Sequence, residues 1–231
     1  MSNINICAQD AYLALYPQSK KPVGVNWPDE GTSQEQALAT NGNLGLLLGP
    51  KSDVMDVDLD CTEAKEMADL ILPKPFAKFD RGTSDSGHYL YRATTCGPTK
   101  KFSGNGPKST LVELRGDGSQ TMIPPSIHPN GSHLRFTDIN QDAPEVKYAD
   151  LLKSVSFLAA CSEVAQRWVS GQRHELALSF SGLCLKQEVD PQLLVNIIQR
   201  ICKKTGDQEG QDRMNCVRTS VGKPHDEPRG Y

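Results

Sequence analysis

The chain has 231 residues, of which 37% are hydrophobic and 23% are charged, and its formal net charge is −3 at pH 7. This length allows one or two domains whose cores need no disulfide cross-links. The mean hydropathy is −0.47, and no apolar run approaches the roughly 18 residues of a membrane span, so we expect no membrane contact. The acidic balance argues against a generally basic nucleic-acid coat protein but leaves room for a local basic channel.

The cysteine content favours a reducing compartment. There are seven cysteines, an odd number, and no two of them are spaced as in C-x₂-C or C-x₄-C motifs. Neither a compact zinc site nor a secreted disulfide framework is therefore expected. The N-terminal sequence MSNINICAQDAY also lacks the basic and apolar regions of a secretory signal. We expect free thiols in the cytoplasm.

The first two thirds of the chain contain short apolar runs bounded by turn-forming residues, a pattern typical of strands. Helices are predicted at residues 8–15, at 33–40 with Ser33 as N-cap, and at 62–71 with Thr62 as N-cap. Strands are predicted at residues 44–48, 54–59, 77–80, 88–92, 110–114, 120–123 and 133–136. The interleaving of helices and strands predicts an α/β or α+β domain.

The pattern changes near residue 150, where apolar residues begin to recur at helical spacing. Helical faces are predicted around residues 151–159 and 175–185, and Asp190 and Pro191 are a typical cap and first residue of a further helix. We therefore divide the chain into a domain at 1–149, a helical module at 150–218, and a linker or frayed tail at 219–231.

A pair of aspartates in a predicted strand is the first candidate site. Residues two apart in a strand point to the same face, so Asp56 and Asp58 would direct their carboxylates to one point, and Asp60 continues the alternation. Oxygen ligands of this kind suit hard divalent cations, which would offset the repulsion between the two charges. A solvated acidic edge explains this motif equally well.

A Gly- and Ser-rich segment leading into the strand at 88–92 is the second candidate. Ser86 and His88 lie two residues apart and flank Gly87, so both can face one site. Such loops turn backbone N–H groups and hydroxyls toward phosphates. An ordinary loop with a surface histidine is the competing interpretation.

Two further segments complete the set. Glu113 is flanked by apolar residues in a strand pattern, and Arg115 shares its face, where it could pair with Glu113 or reach a phosphate. Downstream, a strand ends at Pro124 and Pro125, and the sequence PPSIHPNG contains the turn-forming pair Asn-Gly. A purely structural role, as a stiff turn between two strands, can also explain this last segment.

Taken in order, these segments resemble the bifunctional primase–polymerase (prim-pol) domain of the archaeo-eukaryotic primase superfamily, which occurs in replication proteins of phages, plasmids and other mobile elements. The matching motifs are LLLG before the first strand, DVD, SGH, ELRG and PPSIHPNG, over roughly residues 20–140. Residues 171–220 resemble the helical segment that often follows such domains and that commonly leads to a helicase. The resemblance implies an α+β fold in which a mixed sheet with an RRM-like catalytic core and flanking helices precedes a small C-terminal helical module.

The resemblance also implies residue roles. Asp56, Asp58 and Glu113 match the metal-binding acidic trio of the family, and Ser86 and His88 match its nucleotide-binding motif, with His88 also among the expected catalytic residues. Arg115 is predicted from its position alone to contact phosphate. Some relatives carry a zinc-binding insertion, but only Cys96 lies in the corresponding region, so no zinc is expected.

The implied enzyme is a nucleotidyltransferase that uses Mg²⁺ or Mn²⁺. Two metal ions would activate a 3′-hydroxyl and neutralise the leaving pyrophosphate. Its expected partners are single-stranded DNA, NTP or dNTP, and a replicative helicase, in a bacterial, archaeal or phage-infected cell. The candidate template contacts are Lys51, Arg81, Lys100, Lys101 and Lys108, of which the last three lie in a predicted loop that also carries Phe102.

Two alternatives stay open on the sequence. A metal-dependent nuclease could use the same acidic cluster, but it has no need of the triphosphate-binding motif at 86–88. A non-catalytic replication-initiator module that binds DNA is the other alternative, and the intact acidic trio argues against it.

Overall fold

The structure is a computed structural model that describes residues 6, 10–82, 86–105 and 110–221. Within these residues it has a mixed α+β fold, as predicted, with ten strands and six helices. The strands are β1 (Tyr12–Leu15), β2 (Asn43–Leu47), β3 (Val54–Leu59), β4 (Ala77–Asp80), β5 (Gly87–Thr95), β6 (Lys100–Ser103), β7 (Thr110–Arg115), β8 (Gln120–Ile123), β9 (Arg135–Ile139) and β10 (Val146–Lys147). The helices are α1 (Gln34–Leu38), α2 (Thr62–Ile71), α3 (Tyr148–Gln166), α4 (Arg173–Lys186), α5 (Pro191–Thr205) and α6 (Gly210–Ser220).

The elements form three layers around a large sheet. Its strand order is β6-β7-β3-β5-β4-β9, and β10 pairs in parallel with β5, whereas the other pairs are antiparallel. One face of this sheet packs against helices α2 to α6 in a continuous hydrophobic core. The other face packs against a small sheet of order β1-β2-β8 in a second core. The site described below lies on this second face.

Strand β3 shows how the sequence divides the two faces. Met55, Val57 and Leu59 are fully buried in the helix-side core, and Val54 belongs to the core under the small sheet. Asp56, Asp58 and Asp60 have the same parity as Val54, so they face the small sheet, because side chains alternate along a strand. The predicted strand and its common acidic face are thus confirmed.

The prediction of a helix at residues 8–15 is wrong. Residues 8 and 9 lie outside the described part of the chain, but Tyr12–Leu15 forms strand β1, which pairs antiparallel with β2. Tyr12 and Leu15 are at most 1% exposed. The short apolar run is buried by pairing with a neighbouring strand, a tertiary contact that local helical preference does not anticipate.

The other two predicted helices of this region are present, with one correction to a cap. Ser33 caps α1 with a capping box, in which its hydroxyl accepts from the Gln36 amide and the Gln36 side chain accepts from the Ser33 amide. In α2, however, Thr62 is the first helical residue, and the N-cap is Cys61, whose Sγ accepts from the Ala64 amide. The predicted N-cap at Thr62 is therefore wrong by one residue.

The strand predictions are accurate within the sheets and fail at an edge. The predicted strands at 54–59, 77–80 and 120–123 have the observed bounds, whereas the one predicted at 133–136 begins later, at Arg135. Residues 100–103, predicted to be part of a loop, form β6 at the edge of the large sheet. Lys108, in the same predicted loop, lies outside the described residues.

The C-terminal part is helical, as predicted, but it shares its core with the large sheet. The predicted boundary at residues 149 and 150 falls inside α3. Leu158 of α3 and Ile198 of α5 are fully buried in the same core as Val57 of β3 and Leu114 of β7. A division into separate domains stays a prediction.

Two negative observations apply to the described residues. No helix among them combines the length and apolarity needed to cross a membrane. The six cysteines in the described ranges are free thiols, as predicted.

Candidate active site

A row of functional side chains crosses the large sheet on its small-sheet face. Cross-strand pairing places His88 of β5 beside Asp58 of β3, and Asp58 in turn beside Glu113 of β7. The row continues to Lys101 of β6, the register partner of Glu113. Three motifs that are far apart in the sequence therefore meet because their strands are neighbours.

Three carboxylates form a compact cluster at the end of β3. Asp58, Asp60 and Glu113 each offer a carboxylate oxygen, and these oxygens all lie within 4.8 Å of one another. Partial burial of its carboxyl group, followed by the charges of Asp58 and Glu113, raises the pKa of Asp60 to about 6, although the residue as a whole is exposed. A cation at this position would relieve that repulsion.

Asp56 lies deeper than the cluster and is fully buried. Its Oδ2 lies 2.9 Å from Nδ1 of His88 and 3.8 Å from a terminal nitrogen of Arg115. Burial opposes the charge of Asp56, but the attraction and hydrogen bond of His88, together with Arg115, outweigh it and lower the pKa of Asp56. Asp56 was expected to bind metal alongside Asp58 and Glu113; that role stays a prediction, because here its carboxylate contacts side chains of the protein.

His88 is held on three sides. Its ring stacks on Phe79, with centroids 4.5 Å apart and planes inclined by 5°. Nδ1 faces Asp56, and Nε2 lies 3.5 Å from Oδ1 of Asp58. Burial disfavours the imidazolium, but Asp56 and Asp58 outweigh burial and raise the pKa of His88.

Arg115 lies among the carboxylates. Its guanidinium nitrogens are 3.8 Å from Asp56, 3.9 Å from Asp58 and 3.7 Å from Glu113. These distances are those of a shared counter-ion rather than of a bidentate pair. Its predicted contact with phosphate stays untested, and the pairing with Glu113 that the sequence also allowed is present.

A cleft opens between this row and the small sheet, and basic side chains line it together with the carboxylates. Arg81 follows β4 and donates to Oγ of Ser86 at 2.6 Å, and its other terminal nitrogen lies 3.5 Å from Nε2 of His128. The residues that line the cleft are Lys20, Asp58, Asp60, Arg81, Ser86, His88, Arg115, Gln120, Thr121, Met122, His128 and Leu134.

The predicted template contacts are distributed unevenly. Arg81 lines the cleft, and Lys101 shares the face of Glu113. Lys100 pairs with Leu114, whose side chain is buried in the helix-side core, so Lys100 belongs to the opposite face. Lys51 is exposed after β2 and donates to the Asp29 carbonyl. Phe102 packs against the helix-side core, so it does not provide the expected stacking surface.

Three polar residues that line the cleft lie outside every motif found in the sequence. Lys20 precedes the region of the motifs, and Gln120 and Thr121 belong to β8, which reads as an ordinary strand. Thr121 lies close enough to Asp56 to help lower its pKa. Only the packing of the two sheets brings these residues to the site, so no local pattern reveals them.

The comparison with protein families agrees with this geometry. The bifunctional DNA primase/polymerase N-terminal family (Prim-Pol) matches residues 8–147, which is more than half of the chain and includes the whole row from His88 to Lys101. The chain therefore belongs to the Prim-Pol family, and this membership indicates an enzyme of the DNA primase/polymerase type that acts on DNA and nucleotides. No curated protein matches the chain.

The acidic cluster fits the divalent metal that the family implies. Its donors are three carboxylates, and all-oxygen sites of this kind suit hard cations such as Mg²⁺ and Mn²⁺. After burial, the charges of Asp58 and Glu113 are the next causes that raise the pKa of Asp60, and a bound cation would offset them. The observed cluster uses Asp60, which the sequence offered only as a further member of the alternation.

Proposed function

We propose that this protein is a DNA-directed primase–polymerase that transfers nucleotides from NTP or dNTP to a 3′-hydroxyl on a single-stranded DNA template. One observation carries the proposal: two members of the carboxylate cluster, Asp58 and Asp60, line the same cleft as the cationic side chains Lys20, Arg81 and Arg115. A triphosphate and its divalent ion need both kinds of surface within the length of one nucleotide.

The carboxylates are the metal side of the site. Asp58, Asp60 and Glu113 would hold Mg²⁺ or Mn²⁺, and Asp56 is the additional ligand that the family pattern implies. When bound there, two such ions would supply activation of the attacking hydroxyl and neutralisation of charge on the leaving pyrophosphate. The protein itself contributes the fixed placement of the carboxylates, since Asp58 and Glu113 are direct neighbours across two hydrogen-bonded strands.

The triphosphate would lie along the basic side. Ser86 and His88 are the expected nucleotide-binding residues, and the contact of Arg81 with Ser86 brings a guanidinium to the same position. Arginine suits phosphate because its planar N–H groups can bond two oxygens together. His88 would donate a hydrogen bond from Nε2 once the phosphates lie beside Asp58.

Exposed lysines are the candidate contacts for the DNA template. Lys101 extends the catalytic row at the open edge of the sheet and is the favoured template contact, with Lys51 and Lys100 as further candidates. The role in replication of a phage, plasmid or other mobile element, and a helicase as partner, also belong to the proposal.

A synthesis assay tests the function. The purified protein is incubated with single-stranded DNA, labelled nucleotides and Mg²⁺ or Mn²⁺, and we expect new labelled oligonucleotides. Asp58→Asn should abolish the synthesis of these oligonucleotides. Asp142 is an exposed carboxylate in the turn after β9, and Asp142→Asn should leave the synthesis unchanged. Cleavage of the DNA without synthesis would instead identify a nuclease, and binding without either reaction a non-catalytic module.

A further inference from the structure

Lys65 of α2 bridges the two ends of the segment that carries the basic side of the cleft. Its Nζ lies 2.9 Å from Oδ2 of Asp80, the last residue of β4. The same Nζ donates to the Ser86 carbonyl, directly before β5, at 2.8 Å. One ammonium group thus joins the end of one strand to the start of the next.

Asp80 and Arg81 extend this connection. Oδ1 of Asp80 accepts a hydrogen bond from the Gly82 amide at 2.7 Å, while Oδ2 pairs with Lys65. Arg81 then donates to the Ser86 hydroxyl. Phe79 and His88 form the last register pair between β4 and β5, and on its other side β4 pairs with β9 as far as Asp80 and Arg135, so Arg81 and Gly82 follow the last paired residue of β4.

We propose that Lys65 is a positioning residue for the incoming nucleotide: it fixes Asp80 and the Ser86 backbone so that Arg81, Ser86 and His88 are arranged for phosphate before the nucleotide binds. The inference rests on the proposed nucleotidyltransferase function, since it concerns the same cleft. Lys65 touches the loop ends rather than the cleft, and it does not line the cleft itself. Its effect on the nucleotide is therefore indirect.

A second lysine–aspartate pair provides a matched control. Lys78 of β4 pairs with Asp69 of α2 at 2.6 Å, so it joins the same helix to the same strand. Lys78 pairs in register with Tyr89, one residue further from the loop than the Phe79–His88 pair. Its ammonium group contacts Asp69 and the ring of Tyr89, and neither residue lines the cleft. The two salt bridges have similar architecture, and only the one at Lys65 reaches the phosphate-binding segment.

The test compares Lys65→Met with Lys78→Met in the full chain. Binding of ATP and of dATP is measured by calorimetry with Mg²⁺, and KM and kcat are measured in the synthesis assay. We expect K65M to raise both the dissociation constant and KM by roughly tenfold, because an unanchored segment must be ordered when the nucleotide binds, and to leave kcat within about twofold. K78M should leave both constants within about twofold, and Lys65→Arg, which keeps a cation for Asp80, should restore part of the affinity.

Several results would decide against the inference. Equal nucleotide affinity in K65M and K78M, with the wild type active, would mean that Lys65 only ties α2 to β4, and it would leave the proposed function intact. A loss of kcat at unchanged KM would also overturn it. A wild-type protein that neither binds triphosphate nor incorporates nucleotide would remove the proposed function and this inference together. If K65M does not fold, Lys65→Gln is measured in its place, with the same expected rise.

Discussion

Two aspartates with inaccessible side chains, one beneath the cleft and one among the helices, differ in what lies around them. Asp56 is fully buried under the small sheet, and the side chain of Asp207, between α5 and α6, is 2% exposed. Each contacts an aromatic or imidazole N–H and an arginine. Asp56 lies beneath a cluster of carboxylates that opens to a cleft, whereas Asp207 is surrounded by hydrogen-bond donors.

Asp207 is saturated with donors. Nε1 of Trp168 donates to it at 2.9 Å, the Glu209 amide at 3.1 Å and Nε of Arg213 at 3.2 Å, and Arg173 lies at 3.5 Å. These residues include some that resemble the helical segment following prim-pol domains. Their contacts join the segment after α3 to α4 and α6 around one carboxylate, so the resemblance there reflects architecture.

The carboxylates at the cleft are crowded and loosely paired. Asp58, Asp60 and Glu113 offer carboxylate oxygens within 4.8 Å of one another, and Arg115 stands 3.7 Å or more from Asp56, Asp58 and Glu113. A carboxylate surrounded by donors stabilises a fold, whereas a carboxyl group with a raised pKa in a cleft, such as that of Asp60, marks a candidate functional site. The difference therefore separates a structural network from a site for a cation.

The largest effect should come from removing the helices. A fragment of residues 1–147, the C-terminal limit of the family match, would expose Val57, Leu114 and their neighbours, which α3 and α5 cover. We expect this fragment to be insoluble or to lack a cooperative melting transition, measured by circular dichroism. A fragment that melts like the full chain would show that the helices form an independent domain.

Asp58→Asn should separate activity from stability. Even residues that only support metal ligands cost roughly 10–100-fold when replaced, so we expect at least about a hundredfold loss of nucleotide incorporation. The melting temperature should stay the same or rise, because one of several crowded like charges is removed. Calorimetric titration with Mn²⁺ should show weaker binding in parallel. A large fall in melting temperature would instead assign Asp58 to the fold.

Asp207→Ala should have the reverse effect. Breaking a buried ion pair costs about 3–5 kcal/mol, and we expect the lower end, near 3 kcal/mol, because Arg213 keeps Glu209 and Asp212 as partners. For a chain of this length the melting temperature should fall by roughly 6–12 °C. KM for nucleotide, measured well below the new melting temperature, should not change. A specific loss of nucleotide affinity would contradict the structural role.

Acid should abolish the contribution of Asp207. Burial opposes its charge, but the hydrogen bonds from Trp168, the Glu209 amide and Arg213 outweigh burial and lower the pKa of Asp207. A carboxyl whose folded pKa is lowered stabilises the protein above its unfolded pKa, about 3.9, and this stabilisation is lost as pH falls through the folded pKa. The difference in unfolding free energy between wild type and Asp207→Asn should therefore be constant above about pH 5 and shrink below pH 4. A constant difference down to pH 3 would contradict this assignment.

The fold could be predicted best where one local pattern decides the structure. Strict alternation around Val57 defined β3 and its acidic face, and Ser33 with Gln36 defined the start of α1. Errors arose where a distant partner decides: Tyr12–Leu15 becomes a strand because β2 lies beside it. The lysine-containing segment that forms β6 was predicted to be part of a loop. Charged residues are, however, common on edge strands, where they discourage further pairing.

The sequence predicts which residues belong to the candidate site, but it does not predict how deeply each of them is buried. Alternation places Asp56, Asp58 and Asp60 on one face, yet it cannot tell which of them the small sheet covers. The packing of β8 buries Asp56 against His88 and leaves Asp60 at the exposed end of the strand. The linking role of Lys65 was equally hidden, because nothing in the sequence of α2 relates it to residues 80–86.

The smallest expected effect concerns the template and uses two adjacent lysines. Lys101 and Lys100 are both exposed on β6, but only Lys101 shares the face of Glu113. If the template crosses the open edge of the catalytic row, Lys101→Ala should weaken binding of single-stranded DNA by a few-fold and reduce the slope of log affinity against log salt by about 0.7, the value for one phosphate contact on a single strand. Lys100→Ala removes the same charge from the same strand, so non-specific attraction falls equally in both variants. Any excess loss in Lys101→Ala therefore reports a contact on the catalytic face. Fluorescence anisotropy of a labelled oligonucleotide at several salt concentrations measures both quantities, and equal slopes in the two variants would place the template away from this edge.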